Sequence, residues 1–252
     1  MIEYYLPENS VQPVTIEILD SKGLLVNSYS SETSSRPGRP PATAGMPGAR
    51  NAGPESQPED ADAGPTRRIA PPPRVTKTPG INRFVWDVRH QQGPVMPPGD
   101  YQARLKVGTT IAAESFTVLI DPRVADEGIT TADLQQQFEH NMRMRAMVTT
   151  VNQLVSRVRA AQSKLKDSQD EATRTALNDA ASKLLTEPVR YGKPGLQAHI
   201  TYLASMTATT DQKIGHDAAE RYEILRKELE SLKVEVDRLL GPAPATQSSL
   251  VQ

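Results

Sequence analysis

The feature that most constrains this 252-residue chain is a change of period at Asp121-Pro122-Arg123. Before that point apolar residues recur at every second position; after it they recur every three or four. A chain that makes this switch once builds separate layers, so an α+β class is expected, with a β part followed by a helical part.

In the first part, Val14-Thr15-Ile16-Glu17-Ile18-Leu19 sets Ile16 and Ile18 on one face and Thr15 and Glu17 on the other. Asp20-Ser21-Lys22-Gly23 reads as a hairpin turn, its glycine supplying the positive φ, and Leu24 to Tyr29 as the return strand. A further strand is expected over 82–88, with Phe84, Trp86 and Val88 on one face and the chain's single tryptophan as an anchor. Pro97-Pro98-Gly99-Asp100 marks a turn. After it Tyr101, Ala103, Leu105 and Val107 alternate inward, and 115–120 forms the last strand. Six or seven short strands of this kind suit a small antiparallel β-sandwich.

Between about 31 and 80 the composition breaks. Eleven of the 21 prolines and six of the 15 glycines lie there, with Met46, Ile69 and Val75 the large apolar side chains. Such a stretch buries too little surface to offset chain entropy, so a disordered insert in a hairpin is expected. Its cost grows only logarithmically with length. Seven basic residues against five acidic give it no block of charge.

After Arg123, Thr130 or Thr131 is an N-cap candidate with Asp133 in the first turn. Leu134, Phe138, Met142, Val148, Val151, Leu154 or Val155, Val158 and Leu165 trace one stripe. A second helix is expected over 171–185 and a short third one through Leu196, Ile200, Leu203 and Met206, with 188–195 breaking the pattern between them. The fourth, 216–240, carries Tyr222, Leu225, Leu229, Leu232, Val236 and Leu239 in a heptad seam, and Gly241-Pro242 stops it. An up-down bundle of about four helices follows over 123–241, the seam facing its own chain, with 242–252 a disordered tail.

The formal net charge is -1, which gives no global field to recruit nucleic acid. The absence of cysteine removes disulfides and thiolate chemistry. Nothing approaches the roughly 18 apolar residues of a membrane span, so no membrane insertion is expected. Met1-Ile2-Glu3-Tyr4-Tyr5 has neither a basic nor an apolar leader region; for an exported parent the signal is expected upstream.

No catalytic, cofactor-binding or metal-binding set is expected. His90, His140, His199 and His216 form no metal-type pair, and His140 and His216 read as solvated or capping side chains. Asp87, Asp100 and Asp121 lie at strand ends; paired carboxylates can hydrolyse glycosides, but turn-capping explains these three. The stretch 191–203 stands out, because proline and glycine punctuate a helix entrance beside Tyr191, His199 and Tyr202. One reading is a packed turn whose aromatics are hydrogen-bonded at the bundle rim. The other is a candidate interaction surface formed by those three residues.

Tyr5-Leu6-Pro7, Val14 to Gly23, the G-x-N-x-F-x-W-D run from Gly80 to Asp87, and Pro98-Gly99-Asp100-Tyr101 together resemble the Ig-like domain of the flagellar hook-capping protein family. The stretch 116–123 and the stretch 191–222, with Asp211-Gln212-Lys213 and 217–222, make the whole chain similar to a further group. That group is the C-terminal region of large bacterial proteins with sortilin-like or BNR-repeat β-propellers, often labelled glycosyl hydrolases. The S-x-D-x-G-x-x-W boxes of propeller blades are missing from this sequence, so the hydrolase label belongs to a propeller outside it. The resemblance implies a non-catalytic structural or interaction module, an accessory region of a periplasmic or secreted protein, with the parent's β-propeller or another protein as partner. The alternatives are a part of a sialidase-like glycosyl hydrolase and a glycan- or peptide-binding module.

Overall fold

The computed structural model describes residues 1–8, 10–32, 74–165 and 170–242. The chain is α+β: strands occupy its N-terminal half and helices its C-terminal half. The strands are β1 (Ile2–Leu6), β2 (Val14–Asp20), β3 (Leu25–Ser30), β4 (Gly80–Phe84), β5 (Gly99–Val107) and β6 (Thr110–Val118). Two sheets result, a two-stranded pair β1-β4 and a four-stranded sheet in the order β3-β2-β5-β6. Most of the expected insert, and the tail beyond 242, lie outside the described residues.

The chain forms two compact units, one comprising Met1–Leu19, Gly23–Asp87 and Gln102–Glu114, the other Asp20–Lys22, Val88–Tyr101 and Ser115–Gln252. The division does not fall where the period changes. Residues 88–101 group with the helices, although sequence period assigns them to the β part.

In the first unit the alternation of β2 holds, with Val14, Ile16 and Ile18 buried. Gly23 takes φ 78° and Asp20 Oδ1 accepts from the Lys22 amide at 2.9 Å, closing the turn to β3. Tyr29 on β3 meets Phe84 on β4 at 4.7 Å between ring centres, so side chains of the two sheets interlock. Lys106 Nζ and Arg104 Nε on β5 reach Glu17 on β2 at 2.6 and 2.7 Å. Burial pushes the Glu17 carboxyl up, but those two donors outweigh it and hold the group below its ordinary value.

Two expectations are corrected here. Residues 74–80 are packed, not part of a disordered insert: Val75 is buried, and the Tyr4 hydroxyl donates to the Thr76 carbonyl at 2.5 Å. The strand expected over 82–88 stops at Phe84, and Val88 sits at φ 55°, a left-handed geometry that a β-branched residue adopts under strain. Trp86 is nevertheless buried.

The motifs that carry the resemblance hold the fold. Asn82 Oδ1 accepts from Thr76 and Thr78 hydroxyls at 2.6 and 3.0 Å, while its Nδ2 donates to the Thr78 and Gly80 carbonyls. One buried amide thus anchors the whole 76–80 turn. In the P-G-x-Y turn, the Tyr101 hydroxyl donates to the Pro97 carbonyl at 2.6 Å. Burial first, and the nearby Asp20 second, push that phenol up to about 12.

The second unit contains α1 (Pro122–Asp126), α2 (Thr131–Leu165), α3 (Glu171–Leu184), α4 (Leu196–Ala208) and α5 (His216–Leu240). The short α1 is additional to the four expected helices; Asp121 caps it by accepting from the Arg123 amide, with proline at the first turn. Thr130 and Asp133 cap α2 reciprocally: Asp133 N donates to Thr130 Oγ1, and the Thr130 amide donates to Asp133 Oδ2 at 3.0 Å.

The four long helices share one core but stand as three columns. Along α2, Gln162 bonds Asn178 on α3, Asn152 bonds Gln197 on α4, and Gln137 bonds the Thr207 carbonyl on α4. The partner numbers rise as the α2 numbers fall, so α3 and α4 run one after the other down α2. Meanwhile Asp133 pairs with Lys213, His140 touches Tyr222 and Arg157 pairs with Asp237, so α5 runs parallel to α2. Lengths explain the arrangement. A 35-residue α2 extends about 52 Å, far more than α3 with 14 residues or α4 with 13 can cover alone. The α5 seam residues Leu225, Leu229, Leu232 and Val236 are buried in this core with Val151, Val158, Leu177, Leu184 and Ile200. No described helix is long and apolar enough to cross a membrane.

Candidate functional site

The column formed by α3 and α4 is interrupted by residues 185–195. The two helix ends nearly touch there: a Cβ added to Gly195, the N-cap of α4, would overlap the backbone of Leu184 and Leu185. What lies between is an excursion that leaves the column and returns to it. Its base is pinned by the Glu187 amide on the Lys193 carbonyl, the Gly192 amide on the Val189 carbonyl at 2.9 Å, and close backbone approach of Gly192 to Glu187.

At the outer end of this excursion Tyr191 is 91% exposed and sits at φ 60°. A non-glycine residue held left-handed costs about 1 kcal/mol or more, so the surrounding turn imposes the conformation. The Arg190 guanidinium lies over its ring at 5.3 Å. On α4, His199, Tyr202 and Met206 are spaced i, i+3 and i+7 along one flank, and all three are exposed. Tyr202 is 67% and Met206 54% exposed.

The sequence-selected residues therefore fall in two places. His199 and Tyr202 share the α4 flank, whereas Tyr191 stands in the preceding loop and contacts Arg190. The turn is packed, but its aromatics are not. Among the described residues neither tyrosine hydroxyl makes a hydrogen bond, contrary to the reading of rim aromatics tied down by polar contacts.

The three carboxylates at strand ends each have a local partner. Asp87 accepts from the Tyr29 hydroxyl at 3.3 Å, Asp100 from Thr117 Oγ1 at 2.6 Å, and Asp121 from the Arg123 amide and guanidinium. His216 is solvated, 3.9 Å from Glu220. Among the described residues no group of three His, Cys, Asp or Glu side chains is placed to hold a metal ion. A shallow depression on α5 is lined by Arg226, Lys227, Glu230, Ser231 and Val234, all from one helix face, and gives a substrate no enclosure.

Sequence reasoning missed a second feature. His140 is not solvated; it is 1% exposed, at a core position on α2. Its ring meets Tyr222 edge-on at 5.7 Å, and neither ring nitrogen has a hydrogen-bond partner among the described residues. Burial first, and Arg143 second, hold its pKa below the ordinary value. The neighbouring positions on the same face are polar too. Gln137 donates to the Thr207 and Thr210 carbonyls and accepts from the Gln212 amide, and Asn141 donates to the Thr207 carbonyl at 3.1 Å. Counting i, i+3, i+4 and i+7 back from Met144 would have found 137, 140 and 141 on the buried face. Their polarity concealed it.

No protein family, curated protein or solved structure matches this chain.

Proposed function

We propose that this chain is a non-catalytic interaction module that docks on a partner protein through the Tyr191 loop and the His199-Tyr202-Met206 flank of α4. The observation that carries the reading is the pinned excursion: a strained, almost fully exposed tyrosine held out from an otherwise continuous helical column. A fold with no use for the loop would relax it or shorten it. Tyrosine and arginine are enriched among the residues that dominate binding energy at protein interfaces, and methionine is enriched at interface cores.

The partner proposed is the β-propeller of the larger exported protein that the sequence resembles, with periplasmic or secreted placement following from that parentage. The β-sandwich and the bundle are then an accessory region, the sandwich being Ig-like in the sense of the hook-capping resemblance. The test is direct binding to a β-propeller encoded beside this chain. Tyr191→Ala and Tyr202→Ala should each weaken the complex by about tenfold or more, corresponding to at least about 1.4 kcal/mol, with the fold intact by circular dichroism. Unchanged affinity in both variants contradicts the site. Absence of any complex at tens of micromolar contradicts the partner.

A further inference from the structure

We propose that His140 is an acid-sensitive latch: its protonation inside the bundle releases the α4–α5 connection, residues 209–215, while the α2–α3 end of the bundle stays closed.

The geometry supplies the latch. On one face of α2, Asp133, Gln137, His140 and Asn141 are consecutive one-turn neighbours. Two of them, Gln137 and Asp133, grip the connection between α4 and α5, and Asn141 holds the last turn of α4. Gln137 bonds Thr207, Thr210 and Gln212, Asn141 bonds Thr207, and Asp133 pairs with Lys213 at 3.5 Å. His140 sits among these anchors and grips nothing. Among the described residues both its nitrogens are buried without a partner, as is Asn141 Oδ1.

Among the described residues, the charged and titratable groups around His140 give no counter-ion for an imidazolium. From α2 the nearest is Arg143, a cation that lies over the Tyr222 ring at 5.1 Å. From α5 it is Tyr222, a neutral phenol in edge contact. From α4 there is no carboxylate, because Leu196–Ala208 contains neither Asp nor Glu. Asp133 lies two turns away along α2 and is already engaged by Thr130 and Lys213. A second positive charge in this layer is therefore unpaired, desolvated and beside an arginine, an arrangement the native packing cannot keep.

The sign follows. His140 is held below its ordinary value of 6.5 in the folded chain, whereas in the opened chain it titrates near that value. Between the two values the open form binds a proton that the closed form does not. Closure is therefore complete above about pH 6.5 and weakens as pH falls below it. The slope is at most about tenfold in opening per pH unit for one proton.

The test is amide hydrogen exchange on the full chain at pH 7.5 and 5.5, corrected for intrinsic rates. Expected is an increase of several-fold to tenfold in opening for peptides spanning 203–216, with little change over 151–158 and 177–184. His140→Leu should abolish the acid increase, and His90→Gln should keep it; His90 is the control because burial and Arg145 also hold it low. Should His140→Leu fail to fold, the wild-type His140 ring is titrated by NMR, and a midpoint well below 6.5 supports the latch. Equal exchange at both pH values, an acid response unchanged in His140→Leu, or free titration of His140 near 6.5 would each overturn it.

Discussion

The two halves of the helical unit are built from different chemistry along the same helix. Toward the C-terminal end of α2, the core is apolar: Val151, Leu154, Val155 and Val158 meet Leu177, Ala180 and Leu184. Toward its N-terminal end, the equivalent positions are Asp133, Gln137, His140 and Asn141; Gln137 and Asn141 bond the Thr207 carbonyl at the end of α4, and Gln137 also bonds that of Thr210 beyond it. An apolar layer is indifferent to proton concentration and nearly indifferent to the exact partner. A polar layer holds through a few directed hydrogen bonds, and one that buries an unpartnered imidazole closes in a way that depends on charge state. One end of the bundle is therefore unconditional, the other conditional, with the Tyr191 excursion at the point where α3 gives way to α4.

This contrast can be broken or sharpened by substitution. The largest loss is expected from Leu184→Ala in the apolar half, where a fully buried side chain leaves a cavity. About 3 kcal/mol should be lost, equally at pH 7.5 and 5.5, by chemical denaturation. Gly195→Ala tests the junction: its Cβ would overlap the Leu184–Leu185 backbone and force the two helix ends apart. About 2 kcal/mol should be lost, and a change near zero would mean that α3 and α4 do not abut. Gln137→Ala, in the polar half, leaves the Gln212 amide without its acceptor and takes one donor from each of the Thr207 and Thr210 carbonyls, the former keeping Asn141. About 1–2 kcal/mol should go, with hydrogen exchange rising at 207–213 first. The smallest effect runs the other way. Tyr191→Gly should leave stability unchanged or raise it by up to about 1 kcal/mol, because glycine accepts the left-handed conformation without strain. A clear loss there would mean that the tyrosine packs within its own chain.

Much of this architecture was legible in the sequence wherever one local rule acted alone. The heptad from Tyr222 to Leu239 and the Thr130–Asp133 cap declare α5 and the start of α2, and Gly23 declares its hairpin turn, because period and capping chemistry are local. What escaped depends on distant partners. Val75 and Thr76 look like linker until Tyr4 and Asn82 are brought beside them. Residues 88–101 look like β loop until His90 lies against Phe138 at 6.1 Å. His140 looks solvated because hydropathy assigns a polar residue to the surface, and only the placement of Tyr222 shows otherwise. The three-column order is a matter of helix length and end-to-end packing, which the period of each helix does not encode. Of the candidate site, Tyr191, His199 and Tyr202 were visible as residue types, and their exposure was not. Met206, read as an apolar core position, lies on the same exposed flank.

If the Tyr191 loop and the α4 flank are the docking surface, hydrogen exchange of the chain with the neighbouring β-propeller should slow only over 187–206. The slowing should vanish in the Tyr191→Ala, Tyr202→Ala double variant. Slowed exchange elsewhere, with 187–206 unchanged, would place the docking surface on another face.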